Sequence, residues 1–362
     1  MEPSRQRQLL GREPRTIGCA VFLMLSVLAV VLWATGHDTF FQFADSKGFL
    51  HMARDPIPGP RAFFSGTHGD TTYHFARVLL PGLAWTLVLG RSAAVGWTLV
   101  ILNNASIAVI FAVGAEALRR ACRPESRVMW LALFPGLWDL FACVYGEVTA
   151  IAVLFLVYLF WLDDRRRATR VAAAILPLAR ETMVLGLLPL VWRDWRRDGW
   201  RGAASWLPCL VPMIAWWAVV WARMGAIPPL ADTVYRHGVL GLPFSGLAST
   251  LRDNGVGLVS VLIVGECVLG IGLAVFVVSR RRWFPFAPAA ALFAVLVACL
   301  GWRGTWYIGE TIRHATVLYV LAIVCVLLGR VTREPRPRPA LVQPDRELPR
   351  ARVPAERVHQ GH

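Results

Sequence analysis

Long apolar runs alternate with short polar or basic intervals along most of the chain. The runs fall at about 17–34, 73–90, 95–118, 128–144, 147–162, 171–192, 203–222, 256–278, 284–302 and 315–329. A helix of about 20 apolar residues crosses a hydrocarbon core, and in lipid it satisfies its own backbone polar groups. The pattern predicts an all-α, polytopic helical membrane protein of about ten hydrophobic segments, some short or broken. Residues 1–330 read as one transmembrane domain. The tail 331–362, rich in Pro and Arg and poor in apolar residues, reads as disordered.

Two runs depart from a simple crossing. In 171–192, VAAAILPLA is interrupted by Arg180 and Glu181 before TMVLGLLPLVW resumes. Both flanks, DDRRRATR (163–170) and RDWRRDGWR (193–201), are strongly basic, and basic flanks mark the cytoplasmic side. One crossing cannot place both there, so the expectation is two short half-helices meeting at Arg180. The run 73–90 is the other exception. Single crossings from a cytoplasmic N-terminus to a cytoplasmic 163–170 give the wrong parity, and this short run, broken by Pro81, is the expected non-crossing segment. On this reading 36–72 and 223–254 are external loops, SRRR (279–282) is cytoplasmic, and so is the tail. The first run could pass for a signal peptide, but no small-residue cleavage site follows it, so a retained span is expected.

The polar stretch 36–72 is long for a link between two spans. Within it Asp45, Phe49, Met52 and Ala53 stand at spacings of four and three, along one side of a short helix. That helix is expected at the membrane surface, its aromatic side in the lipid boundary and its carboxylate at a cavity rim. A folded cap over the bundle is the plainer alternative.

Composition refines the picture. The chain has 362 residues, is 56% hydrophobic and carries a net charge of +15. Lys47 is the one lysine and every other basic side chain of that class is arginine. These residues gather at the ends of apolar runs, which needs no nucleic acid to explain it. The seven cysteines include no CxxC pair, and most of them sit inside apolar runs, which suits small core residues. No P-loop, GxGxxG, GxSxG or HExxH is present. His68, Asp70 and His74 form HGDTTYH, which is not a metal-ligand spacing, and no metal is assigned.

Charges inside an apolar frame cost a few kcal/mol and persist where they face a cavity or a partner. Arg77, Glu147, Arg180, Glu181 and Arg313, with His314 beside it, are of this kind. Arg180 paired with Glu181 or Glu147 as structural glue is one reading. The other is an outward polar cavity in which guanidinium groups bind phosphate oxygens.

The motifs carry a resemblance. Asp45, Phe49, Leu50, Met52 and Ala53 fit D-x-x-x-[YF]-L-x-[IM]-A, and Tyr73, Arg77, Leu79 and Pro81 fit Y-x-x-x-R-x-L-x-P. With YGEVTAIAV, the LARET segment (178–182) and the later LPFSG turn, they resemble the GT-C superfamily of membrane glycosyltransferases, mannosyltransferase-like members in particular. The chain departs from the family in lacking a DxD pair. The resemblance implies a GT-C-like fold with a long first external loop in the plasma membrane. It implies transfer of a sugar, such as mannose, from a polyprenyl-phosphate donor to a lipid or glycan acceptor on the outer face. Asp45 would be the catalytic base, and Arg77, Arg180, Arg313 and His314 would bind the donor phosphate. Glu147, Glu181, Tyr73 and Asp70 would line the cavity. Beyond donor, acceptor and membrane lipids no partner is expected, nucleic acid included. No cofactor is expected, although a divalent metal stays open. A transporter or lipid-binding protein with the same cavity is the alternative, and a structural membrane subunit a third.

Overall fold

The computed structural model describes residues 13–42, 44–58, 71–228, 240–280, 283–301, 305 and 308–329. For 44–46, 71, 73–74 and 308–310 it describes the backbone alone. The described residues form one compact unit, and the tail expected at 331–362 lies outside them.

The described residues are helical apart from turns and one isolated bridge, Leu240 to Leu300. The helices are α1 (Glu13–Ala34), α2 (Ala44–Arg54), α3 (Leu79–Val88), α4 (Ser92–Arg120), α5 (Pro135–Ala142), α6 (Gly146–Leu162) and α7 (Arg166–Ala179). They continue with α8 (Val184–Asp198), α9 (Trp200–Ala204), α10 (Val211–Met224), α11 (Ser245–Asn254), α12 (Leu258–Ser279), α13 (Phe286–Ala298) and α14 (Ile308–Leu328). Five segments are long and apolar enough to cross a bilayer: α1, α4, Trp200–Met224, α12 and Thr311–Leu328. The protein is a multi-pass helical membrane protein.

Contacts define two ends. At the basic end Arg120 pairs with Asp163 (2.8 Å), joining the last turns of α4 and α6. The Arg193 guanidinium lies 4.7 Å from the Trp161 ring centre and 5.1 Å from that of Phe284, adding α8 and the turn before α13. Gly329, just past α14, lies against Arg123. At the opposite end the Thr39 hydroxyl donates to the Ala142 carbonyl (3.0 Å), and the Gly241 amide to Cys299 (2.8 Å). Besides the five long segments, α6, α13 and the stretch 125–142 run between these ends. That stretch differs from the single apolar run expected at 128–144. Nine residues of 3-10 helix, Glu125–Leu133, precede α5. At about 2.0 Å rise per 3-10 residue and 1.5 Å per α residue, the two pieces together reach across.

Both exceptional runs have a structural account. Helix α3 has 10 residues, about 15 Å of rise, half a hydrocarbon core. It begins beside Arg77 and is followed at once by α4, whose Gly96 lies against Phe41 of the opposite end. It therefore enters and leaves at one end, which removes the parity problem. The run 171–192 breaks at Arg180, whose backbone is extended (φ −162°, ψ 124°) between α7 and a 3-10 turn, Glu181–Met183. Arg170 near the start of α7 pairs with Asp194 near the end of α8 (3.0 Å). Both basic flanks thus meet at the basic end, and α7 and α8 form a re-entrant hairpin with Arg180 at its tip.

Burial orders the bundle. The apolar windows of α4 and Thr311–Leu328 are 67% and 72% buried, against 22–28% for α1, Trp200–Met224 and α12. Helices α4, α6 and α14 are therefore central, and α1, Trp200–Met224 and α12 face lipid. Helix α1 seats closely on α4 because Gly18 has no Cβ; one added there would stand 2.9 Å from the Ala112 Cβ. Small residues allow such approach between membrane helices.

The surface helix expected from Asp45 exists as α2, but its aromatic side does not meet lipid. Phe49 and Met52 are 2% and 1% exposed and pack with Phe75 and Val220. Protein removes more apolar area there than the edge of a bilayer would, so α2 lies against the end of the bundle as a cap. In the segment 223–254 the LPFSG turn opens α11, while 229–239 lies outside the described residues.

Candidate functional site

The site forms where α6 begins. Glu147 is in the first turn of α6, where a carboxylate is favoured by the helix dipole, and it is fully buried. Gly146 before it makes room. A Cβ there would meet the Phe49 ring at 3.1 Å and the Ala179 carbonyl at 3.4 Å, so α2, α6 and the end of α7 converge on this point.

Three arginines from three other segments reach Glu147. Arg313, in the second turn of α14, places Nε 2.8 Å from Oε1. Arg180, at the hairpin tip, contacts the same oxygen directly. Arg77, in the link between a 3-10 turn (Thr71–Ala76) and α3, stands 3.7 Å from it and 3.5 Å from Glu181 Oε1. Their exposures of 3–5% put all three guanidinium groups in the interior.

Further contacts fix their directions. Arg180 Nε donates to the Thr182 hydroxyl (3.2 Å), and its Nη2 lies 2.8 Å from His314 Nδ1. A guanidinium only donates, so Nδ1 of His314 is the acceptor and its ring proton sits on Nε2. The Arg313 guanidinium lies 4.8 Å from the Tyr145 ring centre. Glu181 is 18% exposed, the open edge of an otherwise enclosed group.

The electrostatic balance is simple. Among the described side chains Arg77, Arg180 and Arg313 contribute +3 and Glu147 and Glu181 contribute −2. Charges away from water are costly unless paired, and removing one partner exposes the cost of the rest. The two carboxylates fix the directions of the guanidinium groups, and arginine forks suit the oxygens of a phosphate.

Six of the residues singled out in the sequence therefore meet: Arg77, Glu147, Arg180, Glu181, Arg313 and His314. The side chains of Asp45, Tyr73 and His74, and all of His68 and Asp70, lie outside the described residues. On the backbone Asp45 stands in α2 one turn before Phe49. Among the described residues no group of three or more His, Cys, Asp or Glu side chains is placed to hold a metal.

Sequence reasoning passed over three interior polar residues. Asn103, 1% exposed in the middle of α4, donates to the Leu140 carbonyl (2.9 Å), and Asn104 beside it is as deeply buried. Glu266 is the one acid of α12, and both its carboxyl oxygens are buried without a hydrogen bond. The available signal was a polar residue inside an apolar run, drowned there by the hydropathy of its neighbours.

Comparison with known protein families, curated proteins and solved structures finds no match for the chain.

Proposed function

We propose that the protein is a membrane glycosyltransferase of the GT-C kind. It moves a sugar, such as mannose, from a polyprenyl-phosphate donor to an acceptor hydroxyl on the outer face of the plasma membrane. The observation that carries this reading is the buried trio of arginines around Glu147. A sugar linked through a lipid phosphodiester brings the charged oxygens that arginine forks bind.

Orientation follows from charge. The basic end lies in the cytoplasm by the positive-inside rule, so the arginine group belongs to the outer half of the membrane. In the transfer the acceptor oxygen attacks the anomeric carbon and the bond from that carbon to the phosphate oxygen breaks. The phosphate leaves with the electron pair and gains negative charge, which Arg77, Arg180 and Arg313 stabilise. Asp45 takes the proton of the acceptor hydroxyl. Apolar helices around the site limit water and strengthen these interactions.

The test is transfer of radiolabelled sugar from polyprenyl-phosphate donors to endogenous acceptors in membranes. Asp45→Asn removes the base and is expected to lower turnover by about 10²–10⁴-fold while insertion persists. Full activity in Asp45→Asn would remove Asp45 from the mechanism. The re-entrant hairpin with a charged tip supports a second reading, an anion transporter, because broken helices surround transported substrates. Uptake of a phosphorylated solute into vesicles, with no sugar transfer from any tested donor, would establish that reading instead.

A further inference from the structure

Arg193, at the basic end, is seated between aromatic rings and stands apart from the arginine site. The rings of Trp161, in the last turn of α6, and Phe284, in the turn before α13, have centres 5.4 Å apart. The Arg193 guanidinium lies over both, at 4.7 and 5.1 Å. Ring contacts engage the face of a guanidinium and leave the N–H donors along its edge available. Packing of this kind also holds the side chain in place, so less freedom is lost when that edge binds an anion.

The acids closest to this seat in the chain are engaged elsewhere. Asp194 pairs with Arg170 (3.0 Å) and accepts from the Trp206 indole N–H (2.8 Å), while Asp163 pairs with Arg120 (2.8 Å). Among the described residues no carboxylate pairs with Arg193. Two more arginines sit on rings with no carboxylate partner among the described residues. Arg196, one turn on along the same face of α8, lies 5.7 Å from the Trp192 ring centre. Arg280, four residues before Phe284, lies 5.4 Å from that of Phe276. Trp192, Trp195 and Phe276 are 54%, 45% and 40% exposed towards the ends of their helices. Exposed aromatic rings beside arginines, where apolar runs end, mark the level of the lipid headgroups. The abundant anion at that level is a lipid phosphate.

We propose that Arg193 is the centre of a binding site for an anionic phospholipid of the leaflet that meets the basic end. The edge of its guanidinium takes two oxygens of the headgroup phosphate, as arginine forks do. Arg196 and Arg280 add attraction for a lipid of net negative charge over a zwitterionic one, whose ammonium cancels the phosphate. The headgroup sits where α6, α8 and the turn before α13 meet, and so braces the base of the re-entrant hairpin. This site is separate from sugar transfer and does not rest on it.

The experiment uses the full chain, purified in detergent and delipidated, with bound lipids counted by native mass spectrometry. Dioleoyl phosphatidylglycerol is titrated beside dioleoyl phosphatidylcholine, and the expected result is one tightly held phosphatidylglycerol per chain. Arg193→Gln should weaken that binding by about tenfold or more, the worth of a charged hydrogen bond. Arg193→Lys keeps the charge and loses the fork, and should weaken it nearly as much. Arg166→Gln removes the same charge from a 71% exposed side chain of the basic end and should leave binding unchanged. Equal retention of the two lipids by the wild type overturns the assignment. So does full binding in Arg193→Lys, the mark of diffuse attraction, even if Arg193→Gln proves too unstable to purify. Displacement of the lipid by sodium phosphate at constant ionic strength would assign the seat to free anions instead.

Discussion

The two ends of the molecule use the same residue types to different effect. At the basic end Arg119 and Arg120 share Glu116, and Arg120 reaches on to Asp163; these side chains are 13–33% exposed. At the other end Arg77, Arg180 and Arg313 share Glu147 at 0–6% exposure. Half-solvated pairs are screened by water and each contributes little. In the buried group the carboxylate is the counter-charge that allows three guanidinium groups to remain in the interior. Similar pair distances therefore carry unlike energies. One end behaves as a charged collar and the other as an organised site.

The largest test of that contrast removes one paired acid at each end. Glu147→Gln leaves three buried guanidinium groups poorly compensated and should destabilise the protein by about 3–5 kcal/mol. Asp163→Asn should cost no more than about 1 kcal/mol. Thermal unfolding in detergent measures both, and equal effects would erase the distinction.

Next in size is the loss of the fork at constant charge. Arg313→Lys cannot reproduce guanidinium geometry and should weaken the proposed sugar transfer by the value of one charged hydrogen bond, about 1.5–3 kcal/mol. Arg120→Lys should leave transfer unchanged. Gly146→Ala probes the packing that brings α2 and α7 to Glu147. The added methyl presses on the Phe49 ring and the Ala179 carbonyl, and overpacking of this kind costs about 1–3 kcal/mol. The smallest effect is that of salt. Raising NaCl to about 1 M shortens the screening length to about 3 Å and should weaken the collar while leaving the enclosed group intact. Asp163→Asn should then lose its small cost, and Glu147→Gln should keep its large one.

Several features were legible before any fold. Basic residues on both sides of 171–192 required a turn back, and the helix breaks at Arg180, the charged position within the run. Arg77, Glu147 and Arg313 stood out because charge in an apolar frame needs a reason. What could not be read was which carboxylate served which arginine. Arg180 might have turned to its neighbour Glu181 or to Glu147, and only packing brings the start of α6 to the hairpin tip. The face of α2 was misjudged for a related reason. Phe49 and Met52 have the pattern of a lipid-facing stripe, and an apolar stripe fits a protein surface equally well. Glu266 and Asn103 were hidden by the averaging that finds spans at all.

The sequence by itself determined that the chain is a helical membrane protein, roughly where its apolar segments lie, and which charges are out of place. Those properties follow from hydropathy, helix length and charge, each summed along the chain. Tertiary structure alone decided that α3 stays at one end, that 125–142 spans in two helical forms, and that three distant arginines meet at one glutamate. These depend on which faces meet across hundreds of residues. The relevant forces are packing and pairing in a low-dielectric interior, and no local sum over the chain contains them.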